Sequence, residues 1–167
     1  MKKVAVIMGS DSDLAVVEKC INELKLYDIP TEVHVYSAHR TPEEAILFSK
    51  NSEKNGFGVI ISAAGKAAHL GGVIAANTVL PVIGIPIKAS ALEGIDALLS
   101  TVQMPPGVPV ASVAIDGAKN AAILAVQILA IEDPELNKKL KSERKKSLEN
   151  VLEKDKKINE KYSGKKA

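Results

Sequence analysis

The sequence predicts an α/β fold in which a mainly parallel, doubly wound sheet is covered by helices on both faces. Three observations carry this. Short Val/Ile-rich runs alternate along the chain with segments whose apolar residues recur at helical spacing. Most of those short runs are apolar throughout, as strands buried on both faces must be. Gly, Pro, Ser and Asp punctuate the junctions between runs and helices, as right-handed crossover units require.

Each element follows in order. Residues 3–8 read as a buried strand, the turn-rich Gly9-Ser10-Asp11-Ser12-Asp13 ends it, and Leu14, Val17, Cys20, Ile21 and Leu24 then mark a helix. Ile29-Pro30 resets the chain. In residues 31–37, Val33 and Val35 alternate with polar residues, which predicts a strand with its valines turned inward and His34 turned out to solvent. Thr41-Pro42-Glu43-Glu44 opens a second helix, with Thr41 as N-cap, Pro42 at the first helical position and Glu44 completing a capping box. Residues 59–63 form a third strand, 67–78 a helix, 82–87 a fourth strand and 93–102 a helix. After the Pro/Gly-rich segment 104–109, residues 110–115 give a fifth strand and 118–130 an Ala-rich helix. The result is a flavodoxin-like three-layer arrangement with a C-terminal helical extension.

The domain organisation expected is an α/β catalytic domain over 1–131, a charged helix over 132–162 and a disordered tail over 163–167. In the charged helix Leu136, Leu140, Leu148, Val151, Leu152 and Ile158 form a thin apolar seam, suited to packing on a neighbouring subunit.

Composition narrows the function. The chain has 167 residues, enough for one core. Aromatic residues make up only 3% and Trp is absent, so few rings are available to stack on a flavin or on splayed bases. The net charge of +2 conceals an asymmetry: residues 132–167 carry 12 Lys+Arg against 8 Asp+Glu, which leaves 10 against 12 in the preceding residues. A basic pI arising from one terminal segment is poor evidence for nucleic-acid binding, no basic stripe runs through the preceding residues, and no nucleic-acid partner is expected. Cys20 has no partner for a disulfide, no signal-peptide pattern opens the chain, and no apolar run is long and unbroken enough to span a membrane. A cytoplasmic location is expected.

In an open parallel sheet, ligands bind beyond the C-terminal ends of the strands, and three such segments carry chemistry. Gly9-Ser10-Asp11-Ser12-Asp13 offers hydroxyls and helix-start amides suited to a phosphate or ribose diol, although by itself it reads better as a capped helix start. It lacks the spacing and lysine of a triphosphate P-loop. Ser37-Ala38-His39-Arg40 follows the second strand, and Arg40 can present a bidentate fork to phosphate. Gly65-Lys66-Ala67-Ala68-His69-Leu70-Gly71-Gly72 sets an imidazole among small residues, where proton shuttling is its natural role. No GxSxG elbow is present. The three histidines His34, His39 and His69 show no metal-ligand spacing, and Cys20 lies on the apolar face of its helix.

Taken together, GSDSD at 9–13, SAHRTPE at 37–43, AAHLGG at 67–72, LPVIGIPIK at 80–88 and VQMPPGVPVASVAI at 102–115 resemble the bacterial-type N5-carboxyaminoimidazole ribonucleotide mutases, also called phosphoribosylaminoimidazole carboxylase catalytic subunits, over nearly all of residues 3–131. The resemblance implies a homo-octamer with no cofactor and no metal. It also implies an isomerase of de novo purine (IMP) biosynthesis that moves a carboxylate from the exocyclic nitrogen to ring carbon C4, fed by an ATP-dependent carboxyaminoimidazole ribonucleotide synthetase. By the same resemblance His69 is the acid/base, Ser10, Asp13 and Arg40 bind substrate, and Ser37, Ala38, His39, Gly65 and Leu70 line the pocket. Two features depart from the pattern the resemblance implies: Lys66 replaces a frequent Gly in GAGGAAH, and Gly72 is expected to stand where many relatives have the Pro of HLPG. The rival readings are a direct CO2-dependent aminoimidazole ribonucleotide carboxylase and a non-catalytic flavodoxin-like binding module.

Overall fold

The structure, a computed structural model, describes residues 1–89 and 91–163. Five parallel strands form one sheet in the order β2-β1-β3-β4-β5, with β1 at Lys3–Met8, β2 at Thr31–Val35, β3 at Phe57–Gly65, β4 at Val82–Ile87 and β5 at Ala111–Ser112. The helices are α1 (Leu14–Leu26), α2 (Pro42–Asn51), α3 (Leu70–Ala75), α4 (Ile95–Val102), α5 (Ala118–Leu129) and α6 (Pro134–Tyr162). α1 packs with α5, and α2 with α3, so the sheet is sandwiched as expected. The apolar runs are where burial is complete: Val4, Ala5, Val6 and Ile7 in β1 and Ile60 and Ile61 in β3 expose nothing. At Gly84 in β4 a Cβ would overlap the Thr101 side chain, so glycine is what lets α4 approach the sheet.

The structure corrects several expectations. Strand β2 turns the opposite face inward. Val33 and Val35 are exposed, while His34 lies parallel to the Tyr36 ring at 4.9 Å and meets Phe48 at 5.0 Å. Its Nε2 is 3.0 Å from Glu32 Oε1, and Glu32 also accepts from Lys3 Nζ at 3.2 Å. The His34 and Lys3 hydrogen bonds hold the Glu32 carboxyl below its ordinary range. Because β2 is an edge strand, its valines had less apolar surface to gain from burial than the aromatic cluster offered on the other face.

The capping box at α2 does not form. Thr41 makes no side-chain cap; its Oγ1 accepts instead from the Ser37 amide at 2.8 Å, and its own amide donates to the Ser37 carbonyl at 2.9 Å. The loop before the helix has taken both groups. Several elements are shorter than expected, and β2 already ends at Val35. α3 starts at Leu70, because Lys66 adopts a left-handed φ of 56° and breaks the chain before it. α4 starts at Ile95, after left-handed Glu93 and Gly94. β5 keeps two paired residues; beyond them the chain stays beside β4 through single bonds from Val113 N to Gly84 O and from Asp116 N to Pro86 O.

The chain divides into two compact units, the first ending at Leu129 and the second beginning at Ala130. The second unit carries α6. Asp133 caps it by accepting from the Glu135 and Leu136 amides at 3.1 and 3.0 Å, with Pro134 at the first helical position. Pairs such as Glu135–Lys138 and Glu153–Lys157, each at 2.6 Å, line its surface. Leu148, Val151, Leu152 and Ile158 remain exposed. Ser163 closes the helix, and the rest of the expected tail, 164–167, lies outside the described residues. Among the described residues no helix is long and apolar enough to cross a membrane.

Candidate active site

The C-terminal ends of β1, β3 and β4, with the loop after β2, surround a cavity of about 650 Å³. Every residue given a catalytic or binding role from the sequence lines it: Ser10 and Asp13 after β1, Ser37, Ala38, His39 and Arg40 after β2, and Gly65, His69 and Leu70 at and after β3. Parallel strands bring this about, since all of them end on the same edge of the sheet.

The loop after β2 is built around Ser37. Its Oγ accepts from the His39 amide at 3.4 Å and the Arg40 amide at 3.2 Å, while its backbone is tied to Thr41. Two successive side chains are thereby aimed into the cavity from a fixed turn. Arg40 reaches across to β1, where Nη2 donates to the Gly9 carbonyl at 3.2 Å. Gly9 itself is held to β3 by its amide, which donates to the Ala63 carbonyl at 2.9 Å. The guanidinium keeps further donors for an anion beside Ser10 and Ser12.

Around the first loop, Ser10 Oγ accepts from the Ser12 amide at 3.3 Å and caps the short 3-10 turn Asp11–Asp13. The capped start is therefore real, and its hydroxyls face the cavity as well. Asp13 is buried, and loss of hydration pushes its carboxyl above its ordinary value, against the hydrogen bonds from Ser12 and the Ser10 region.

His69 does not stand alone. Its Nδ1 lies 2.9 Å from His39 Nε2, with the rings edge to face at 5.0 Å. One nitrogen must carry the hydrogen and the other accept it, so the tautomer of each ring fixes that of its neighbour. Sequence reasoning placed both residues at the site and missed their contact, because thirty residues separate them.

It also missed the end of β4. Ile87, Lys88 and Ala89 line the cavity, as do Ser12, Val16 and Lys66. The strand-end rule that picked out the first three segments applies equally to the fourth strand and would have found Lys88. The cationic side chains Arg40, Lys66 and Lys88 outnumber the single carboxylate Asp13, so the cavity favours an anionic ligand. Among the described residues no cluster of three or more His, Cys, Asp or Glu could hold a metal ion. Cys20 is buried away from the cavity, with its thiol pushed up to about 12.

Residues 3–150 match the family model described as AIR carboxylase. This chain belongs to the AIR carboxylase family. Among relatives of this AIR carboxylase family member, the N5-carboxyaminoimidazole ribonucleotide mutase of Pyrococcus abyssi is 56% identical over 144 residues, covering 86% of this chain and 83% of the relative. The mutase of Escherichia coli K12 is 48% identical over 153 residues, covering 90% of each. Among solved structures, that of Treponema denticola PurE superimposes with a TM-score of 0.85 at 31% identity, covering 93% of this chain and 97% of that one. The AIR carboxylase family fold is thus the flavodoxin-like sheet described above.

The two positions at which the resemblance implies a different residue each have a local explanation. Lys66 occupies a left-handed position, where glycine carries no steric penalty. The proline of HLPG falls opposite Gly71 in His69-Leu70-Gly71-Gly72, not opposite Gly72 as expected; at Gly71 a Cβ would lie 2.8 Å from Ser62 Oγ, so the buried Ser62 hydroxyl occupies space that a proline ring would need.

Proposed function

We propose that this protein is an N5-carboxyaminoimidazole ribonucleotide mutase of purine biosynthesis, converting that substrate to 4-carboxy-5-aminoimidazole ribonucleotide. The observation that carries the reading is the His39–His69 hydrogen bond in a cavity rich in cations, set in a chain half identical to mutases along most of its length. The substrate joins a phosphate to a carboxylated imidazole, an anion at each end, which suits such a cavity.

Arg40 and the Ser10 and Ser12 hydroxyls hold the phosphate, and Asp13 accepts from the ribose hydroxyls. Binding energy from this remote end fixes the ring over the histidine pair. The N–C bond of the carbamate then breaks, releasing CO2, and the protonated pair supplies the proton that the exocyclic nitrogen takes up. The freed CO2 attacks nothing but is attacked: the electron-rich C4 adds to its carbon, and the neutral pair accepts the proton that C4 loses. One proton leaves the pair and one returns, so the site ends as it began. His69 acts in concert with His39, and small residues such as Gly65 and Ala67 let the ring lie close against the backbone.

A homo-oligomer, an octamer by family resemblance, completes the reading. The exposed apolar positions of α6, Leu148, Val151, Leu152 and Ile158, support packing of that helix on a neighbouring subunit. The function is tested by following conversion of N5-carboxyaminoimidazole ribonucleotide without added bicarbonate. Turnover supports the mutase. Inertness there combined with carboxylation of aminoimidazole ribonucleotide by CO2 replaces it with the direct carboxylase, and inertness in both leaves a binding module.

A further inference from the structure

Lys88 is the one cavity-lining cation that leaves from the end of β4, and its backbone is clamped there. The Lys88 amide donates to Asp116 Oδ1 at 2.9 Å, and the Asp116 amide donates to the Pro86 carbonyl at 2.9 Å. Asp116 can do both because it sits at a left-handed φ of 55°, a conformation that Asp tolerates better than most residues. The stem of Lys88 therefore starts from a fixed point on the rim of the cavity.

Its ammonium is paired with Glu93, and the two side chains are 53% and 67% exposed. An ion pair so open to water holds weakly, and a buried or chelated anion can displace the carboxylate. Glu93, through its hydrogen bond, holds the ammonium above the ordinary lysine range, so the charge is present throughout the working pH range. Glu93 itself adopts a left-handed φ of 55°. The pair thus keeps a charged donor parked at the mouth of the cavity.

The sheet order fixes which end of the substrate this donor serves. Arg40 donates to Gly9 at the end of β1, whereas Lys88 leaves the end of β4, with β3 between them. Two strand spacings, roughly 10 Å, separate those ends. His69 follows β3, between the strand end that Arg40 reaches and the one that Lys88 leaves, and His39 meets it from the loop after β2. A nucleotide whose phosphate meets Arg40 therefore directs its carboxylated ring toward Lys88.

Resting on the mutase reading of this same cavity, we infer that Lys88 is a further substrate-binding residue, which leaves Glu93 to pair with the substrate carboxylate. Glu93 then acts as a competitor for the ammonium. This makes the two partners of one ion pair act on substrate in opposite directions, which a purely structural ion pair cannot do.

The experiment compares wild type, Lys88→Gln, Glu93→Gln and the double variant in the mutase assay, with inhibition by aminoimidazole ribonucleotide, which lacks the carboxylate, measured alongside. Lys88→Gln is expected to raise KM about tenfold, the loss of one charge-assisted hydrogen bond, with kcat changing less. Inhibition by aminoimidazole ribonucleotide should be nearly unchanged. Glu93→Gln should lower KM two- to threefold in the wild-type background and do nothing in Lys88→Gln. Equal KM increases from both single variants, or no change from either, would show a structural pair and overturn the inference. Equal weakening of substrate and aminoimidazole ribonucleotide by Lys88→Gln would place Lys88 on the phosphate and overturn it too. A wild type inert toward the substrate would remove the mutase reading and this inference together, whereas an active wild type with an unaltered Lys88→Gln removes the inference alone.

Discussion

His39 Nε2 and His69 Nδ1 stand 2.9 Å apart, joining the loop after β2 to the loop after β3. While that hydrogen bond holds, only one of the two facing nitrogens carries a hydrogen. The shared hydrogen couples the two imidazoles, so a change at one ring alters the hydrogen bonding of the other. Replacing either with Asn removes the shared proton and is expected to lower kcat/KM at least 100-fold, within the range for a general acid/base. The double variant should be little worse than the more damaging single one. Steady-state kinetics on the three folded variants checks this; additive losses would mean two independent groups.

Asp13 gives a pH dependence of known sign. Burial raises its carboxyl above the ordinary value, so the folded protein binds that proton more tightly than the unfolded chain does. The contribution favours folding below the unfolded value and is lost as pH rises through the raised folded one. At neutral pH, Asp13 thus strains the fold. Asp13→Asn should melt at a higher temperature than wild type at about pH 7, with the gap closing toward about pH 3, where ordinary carboxyls are protonated too. Thermal melts across this range decide it, and a gap that widens on acidification would contradict the sign.

The Ser62 hydroxyl and the missing side chain at Gly71 are complementary. Gly71→Pro should destabilise by about 1–3 kcal/mol through overpacking. Ser62→Ala should recover much of that loss, giving a double-mutant coupling that denaturant melts can read. Additivity of the two changes would refute the steric account.

Lys66→Gly relieves a left-handed backbone. The gain of about 1–2 kcal/mol from removing the Cβ clash exceeds the backbone-entropy loss of roughly 0.5–1 kcal/mol that glycine brings. A modest rise in the denaturation midpoint is expected, and a fall would show that the Lys66 stem packs more favourably than its backbone suffers.

Cys20 is fully buried and its thiol is pushed up to about 12, so the native protein should resist alkylating reagents at neutral pH and react fully once unfolded. Mass spectrometry after timed labelling reads this directly.

The sequence by itself determined the layers, the order of the elements and the segments that meet at the sheet edge. Continuous apolar runs have one comfortable home, in the middle of a parallel sheet, and parallel strands deliver their C-terminal loops to one side. That is why Ser10, Asp13, Arg40 and His69 were legible as neighbours before any coordinates. What only the tertiary structure decided were choices between competing partners at short range. Val33 and Val35 alternate as a packed face should, yet the edge of the sheet offered His34, Tyr36 and Phe48 a better one. Thr41 and Glu44 spell a capping box, yet Ser37 claimed Thr41 first. The His39–His69 bond and the Asp116 clamp on Lys88 join residues about thirty positions apart. Local periodicity reports which face a residue prefers; it holds no information on distances across loops, which are fixed only when the strands have paired.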